Sequence, residues 1–198
     1  VSTSEGTKYF KYSYQPHGYD ETSEGVWIDA NNQTVDGYYF SGTTGNTVNN
    51  SNYTGIKINS DFANSERGVA NTGTISSIKG VFFDNVNNYE FPQAGAIYNE
   101  GTITSIVADF INNSAYYGGS NQVDAIGGAI VSAKNPGKDG VIGSITGDFI
   151  GNSAYTNRGS AVGGAMYLFG GSQTGTIKGD FIGNYAMGYD IARGGAIT

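Results

Sequence analysis

Cysteine is absent from the sequence. That excludes a disulfide framework and thiol nucleophiles, and it leaves the core and the backbone ladders to hold the chain together. Charge is scarce as well: 14% of residues are charged, with 10 Lys and Arg against 17 Asp and Glu, for a net charge of −7. Nucleic acid and anionic membrane both demand a cationic surface, so neither is an expected partner. No stretch reaches the roughly 20 apolar residues of a spanning helix, so no membrane insertion is expected. Histidine occurs once, at His17, which argues against histidine-based catalysis or metal binding. No Gly-x-Ser-x-Gly elbow and no phosphate-cradling Gly-Lys-Ser/Thr loop occurs.

Glycine, by contrast, accounts for 32 of 198 residues, about twice its usual share. Together with plentiful Ser, Thr, Asn and Tyr, this is the profile of a turn-rich, all-β extracellular protein. The informative feature is a two-part pattern repeated four times. One part is an aromatic-to-asparagine tetrad: Phe82-Phe83-Asp84-Asn85, Phe110-Ile111-Asn112-Asn113, Phe149-Ile150-Gly151-Asn152 and Phe181-Ile182-Gly183-Asn184. The other is a small-residue strand opener: Ala94-Gly95-Ala96-Ile97, Gly127-Gly128-Ala129-Ile130, Gly163-Gly164-Ala165-Met166 and Gly194-Gly195-Ala196-Ile197. Chemistry that returns at similar intervals marks supersecondary units stacked on one another.

Between the two parts run short β-rich segments punctuated by Gly and Asn, without the 3.6-residue period of a helix. They predict one triangular coil of a parallel β-helix per repeat, each stacked on the last at about 4.8 Å. Like residues then lie over like. Ile75, Ile103, Ile142 and Ile177 are expected as one aliphatic column and Phe82, Phe110, Phe149 and Phe181 as an aromatic one. Asn85, Asn113, Asn152 and Asn184 read either as an internal amide ladder at a coil corner, the preferred reading, or as four independent turn residues facing solvent. The Gly-Gly-Ala openers allow successive coils to bring their backbones close.

Upstream the pattern decays. Residues 55–71 form a shortened copy, and residues 1–54 carry no match but include strand-like runs at Lys8–Tyr12, Gly25–Ile28 and Gly37–Phe40. A solenoid must cover its first open edge, so residues 1–54 are expected to form an N-terminal β cap and 55–198 the repeats. The sequence opens on Val1 without a leader and stops within an opener, which reads as a fragment of a longer array that continues beyond residue 198.

The paired Phe-x-x-Asn and Gly-Gly-Ala-Ile/Leu/Val motifs resemble those of chlamydial polymorphic membrane proteins and related autotransporter passenger domains. The resemblance spans roughly residues 73–198, with the Ala94-Gly95 opener and Met166 as mild departures. It implies a right-handed parallel β-helix displayed at a bacterial cell surface or released outside the cell. It also implies an adhesin that meets host-cell or bacterial surface proteins or glycans, not an enzyme. The alternative is a carbohydrate-active β-helix, a polysaccharide lyase or hydrolase whose catalytic coil lies outside these residues.

Candidate chemistry is thin, and no catalytic, cofactor-binding or metal residue is assigned. Asp109, Asp148 and Asp180 each precede a tetrad Phe; turned outward and stacked, they are either solvated acids or ligands for a cation such as calcium. Their repetition argues against catalysis, which needs one constellation. The variable loops at 86–96, 114–129, 153–165 and 185–196 carry, in or beside them, Tyr116, Tyr117, Tyr155, Tyr167, Tyr185, Tyr189, Arg158, Arg193 and Asp190. The rings read either as a binding surface or as local packing, and the arginines as ligand contacts or ordinary solvated side chains. Thr74, Thr102 and Thr176 suggest a flat array of the kind that meets ice, interrupted at the third coil.

Overall fold

The computed structural model describes residues 2–3, 6–7, 26–27, 34–51, 53–135 and 138–198. Among them all regular structure is β, and most strands pair in parallel sheets. The opener segments form one sheet of six, from Val26–Trp27 through Asn46–Asn50, Arg67–Asn71, Ile97–Asn99 and Ile130–Ser132 to Met166–Leu168. Longer strands, Thr34–Ser41, Ile56–Ala63, Thr74–Phe83, Thr102–Ile111, Val141–Thr146 and Gln173–Lys178, make the spine of a second sheet. A third sheet holds Val86–Asn87, Ser114–Tyr117, Ser153–Thr156 and Tyr185–Met187, and a fourth holds Ala125–Ile126, Ser160–Val162 and Ile191–Arg193.

In each sheet the neighbour of a strand is its counterpart from the adjacent repeat, and the pairing is parallel. Parallel neighbours cannot be joined by a tight hairpin, so the chain visits the other sheets before it returns. That layout is compatible with a β-helix.

The order within one strand follows from its side chains. In Thr102–Ile111, Ile103, Ile106, Ala108 and Phe110 are buried while Thr104, Val107 and Asp109 face outward. Positions 106, 108 and 110 keep the two-residue alternation of a strand, whereas the three-residue step from Ile103 to Ile106 marks a bend. Repetition turns these positions into columns. Phe40, Phe62, Phe82, Phe110, Phe149 and Phe181 stack ring on ring with centroids 4.7–5.2 Å apart, the spacing of the strands themselves. Each fully buried ring contributes roughly 1.5–3 kcal/mol, which a repeat gains only when its neighbours cover it.

Two aliphatic columns run beside the rings, where the sequence suggested one. Ile56, Ile75, Ile103 and Ile142 form the first, but its next place is taken by Thr174. Ile177 belongs instead to the second, over Ile58, Ile78, Ile106 and Ile145. The two inward positions lie three residues apart on the long strands from Thr74–Phe83 onward, and two apart on Ile56–Ala63, where the register shifts; with loops of unequal length between them, a count along the sequence does not separate the two columns at Ile177. Val48, Val69, Ile97, Ile130 and Met166 fill a further column under the opener sheet.

The openers need glycine where backbones cross. A Cβ on Gly128 would lie 2.1 Å from the carbonyl oxygen of Gly164 and 2.5 Å from the amide nitrogen of Ser153. Gly147 is excluded from substitution twice over, by a φ of +147° and by a Cβ position 1.8 Å from the Ala108 carbonyl oxygen.

Residues 34–50, assigned from sequence to the cap, continue the parallel pairing, with Val35, Phe40 and Val48 placed over the columns of the repeats. The strand-like run at Lys8–Tyr12 and His17 lie outside the described residues. Two antiparallel pairs interrupt the pattern, Ser2–Thr3 with Gly6–Thr7 and Lys134–Asn135 with Lys138–Asp139.

The tetrad asparagines form the internal ladder. Asn85, Asn113 and Asn152 are fully buried, and each Nδ2 donates to the Oδ1 of the next asparagine at 2.8, 3.0 and 2.8 Å, ending on Asn184. Each Oδ1 also accepts a backbone N–H from the preceding repeat, and each Nδ2 also donates to the carbonyl of the column phenylalanine of the preceding repeat. A second ladder, Asn50 to Asn71 to Asn99 at 2.9 and 2.8 Å, runs along the opener sheet. It stops at Ser132, which is buried in register with Asn99 and whose hydroxyl has no hydrogen-bond partner among the described residues. Ser132→Ala removes an unsatisfied polar group and is expected to be neutral or to stabilise by up to about 1 kcal/mol, measured by urea denaturation.

Candidate functional site

The sequence varies most in the loops that connect the third sheet to the fourth, and there three successive repeats place their tips side by side. Backbone bonds tie the tips in rows: Val123 N–H donates to Arg158 C=O at 2.7 Å and Asp190 N–H to Gly159 C=O at 2.9 Å. Between them lies a half-open concavity of about 350 Å³ lined by Ser120, Gln122, Asn157, Arg158, Gly159, Tyr189 and Asp190.

Its polar side chains are set by named partners. Gln122 Nε2 donates to Asp190 Oδ2 at 2.7 Å, linking loops two repeats apart. Asn157 accepts from the Tyr155 hydroxyl at 2.6 Å and donates through Nδ2 to Gly118 C=O at 2.9 Å, so its amide is held from both sides. Thr156 donates its hydroxyl to Val123 C=O and accepts the Arg158 N–H, which fixes the turn beneath. Two groups remain presented outward. The Tyr189 residue is 80% exposed, and the exposed Arg158 guanidinium makes no hydrogen bond or ion pair to another described residue. The arrangement can donate from Arg158, accept at Asp190 and Gln122, do both at Ser120, and offer one aromatic face.

No family model, curated protein or solved structure matches the chain. What the molecule can do is therefore read from its own residues.

The structure brings together Arg158, Asp190 and Tyr189 of the residues singled out in the sequence. Arg193 lies on the strand Ile191–Arg193 in register with Val162 and does not line the concavity. Tyr116 and Tyr155 stack at 5.1 Å as an outward pair beside the site, while Tyr167 packs edge-on against Phe169 elsewhere. Ser120, Gln122 and Asn157 were not anticipated. No short motif marks them, because they meet only through the stacking of loops of unequal length.

The acidic column has a structural task. Asp109 Oδ1 accepts the N–H of Asp148, and Asp148 Oδ1 accepts the N–H of Asp180, both at 2.9 Å. The amide that each carboxylate receives follows a glycine at φ +147° or +142°, and Asp61 and Asp124 receive Val81 and Ser160 in the same way. Among the described residues no group of three or more His, Cys, Asp or Glu side chains is arranged to hold a metal ion. The threonine row is also discontinuous, since Thr102 pairs with Val141 and Thr176 with Ser144.

A separate cationic group is built into the fold. Burial lowers the pKa of Arg67; its guanidinium donates to Gln93 and Ala94 carbonyls and to Asn46 Oδ1, and lies 5.0 Å from the Tyr98 ring centroid. Burial, then the hydrogen bond to Glu100, raises the Tyr98 pKa. With each of its three nitrogens donating to the chain, Arg67 pins residues 93–94 in place.

Proposed function

We propose that the chain is a right-handed parallel β-helix, closed by an N-terminal cap. It works without turnover as an adhesin-like rod that presents loops at a bacterial cell surface or outside the cell. Its partners are host-cell or bacterial surface proteins or glycans. The observation that carries this reading is the concavity around Tyr189, assembled from the loop tips of three stacked repeats while the interior stays constant. Rigid scaffold and variable tips are the usual division of labour in a binding surface, and the motif resemblance points the same way.

Many copies along one surface would bind by avidity, with each contact weak. Beads coated with the protein are therefore expected to adhere to host or bacterial cells at densities where the soluble chain is washed away. A chain whose residues 118–122 and 188–190 are replaced by Gly and Ser at equal length is expected to lose that adhesion. Adhesion that persists in the replaced chain, or turnover of a polysaccharide by the native one, would count against the proposal.

A further inference from the structure

We infer that the concavity between the three loop tips is a subsite for one neutral, hydroxyl-rich sugar residue of a surface glycan. The inference rests on the display reading and names its ligand class.

An apolar ligand would find no aliphatic side chain in the lining. An extended peptide recognised by strand addition binds along a strand edge, yet the lining residues all lie in loops, and Ser153–Thr156 and Ser160–Val162, which bracket the middle loop, are paired on both sides. A phosphate or carboxylate ligand would meet one guanidinium, Arg158, facing one carboxylate, Asp190, on a chain of net charge −7. No second cation lines the concavity among the described residues.

A neutral sugar asks for something different: alternating donors and acceptors for its hydroxyls, and a flat apolar surface for its C–H face. Asp190 keeps Oδ1 as a strong acceptor, because Oδ2 is the atom that accepts the Gln122 Nε2–H hydrogen bond. The Gln122 side-chain carbonyl adds a second acceptor and Ser120 a group of either kind. Arg158 supplies a fork of donors, and the Asn157 amide, steadied by Tyr155 and Gly118, retains one free N–H. Tyr189, 80% exposed, is the aromatic platform. A volume of about 350 Å³, open on one side, sits at the small end of ligand sites and suits one residue of a longer chain.

The test uses the full 198-residue chain on an array of neutral and carboxylated oligosaccharides, followed by calorimetric titration of the strongest neutral binder. Binding to neutral members is expected. Tyr189→Ala and Asp190→Ala are each expected to weaken it about tenfold, the worth of a hydrogen bond to a charged group or a lost platform. Val107→Thr, on an exposed strand position outside the site, is expected to leave it unchanged, and melting temperatures establish that the variants are folded. Absence of neutral binding, preference for carboxylated glycans, or unchanged affinity in both site variants would each overturn the inference. Periodate treatment of target cells separates it from the display reading. Adhesion that survives cleavage of surface diols refutes the sugar and leaves the rod intact, whereas oligosaccharide binding without cell adhesion refutes the adhesin and keeps the subsite.

Discussion

Asn113→Asp is expected to destabilise the protein more than Asn113→Ala, and both are expected to cost about 3 kcal/mol or more. Asn113 Oδ1 accepts the Asn85 backbone N–H and Nδ2, while its own Nδ2 donates to Asn152 Oδ1 at 3.0 Å and Phe82 C=O at 2.9 Å. Alanine leaves the Asn85 N–H and the Phe82 carbonyl without these partners at a site with no exposure. Aspartate does worse, because it aims an oxygen at two acceptor oxygens and buries a charge. Burial raises a carboxyl pKa, so protonation is favoured in the folded state. The aspartate variant should therefore recover stability as the pH falls through that raised value towards the ordinary carboxyl range. Turn asparagines facing solvent would behave oppositely, since aspartate serves a turn equally well. Urea denaturation of the three proteins decides, and losses within about 0.5 kcal/mol for both variants would remove the ladder from the account of stability.

Phe110→Ala is expected to cost about 3–5 kcal/mol. The ring fills the space between Phe82 and Phe149, at centroid distances of 5.1 and 4.7 Å, and the strands above and below are held at fixed spacing by their ladders, so the gap cannot close. Phe110→Leu keeps most of the volume and should lose less. Phe181→Ala, at a partly exposed ring with one stacking neighbour described, should also lose less. Stability summed over neighbouring repeats predicts that ordering. Hydrogen exchange should show protection falling in the repeats of Phe82 and Phe149 as well as at the altered one. Equal losses at Phe110 and Phe181 would show that the stack does not act through adjacent repeats.

The parts of this fold that could be read from sequence are the parts that repeat. Four tetrads announced the phenylalanine column and the Asn85–Asn184 ladder, because a residue needed at every level must recur at every level. Features that break their own repetition stayed hidden. The Asn50, Asn71 and Asn99 ladder ends at Ser132, so no fourfold pattern drew attention to it. Val35, Phe40 and Val48 extend the columns upstream without the tetrad or the opener, so no motif sets them apart within residues 1–54. Ile177 was set one column away because loops of different length obscured the count. The concavity around Tyr189 was least legible, since Gln122 and Asp190 are separated by 68 residues and joined only by the stacking of their loops.

The hairpin of Lys134–Asn135 and Lys138–Asp139 carries a last implication. Ser132 before it remains in register with Asn99, and Val141 after it remains in register with Thr102, as though nothing had been inserted. The interior is blind to how much chain travels outside it, and each doubling of such an excursion costs only about 0.6 kcal/mol in closure entropy. Natural variation can thus rewrite the exterior, in length as well as in letters, while the inherited frame stays the same, and an engineer could graft foreign segments at the same positions.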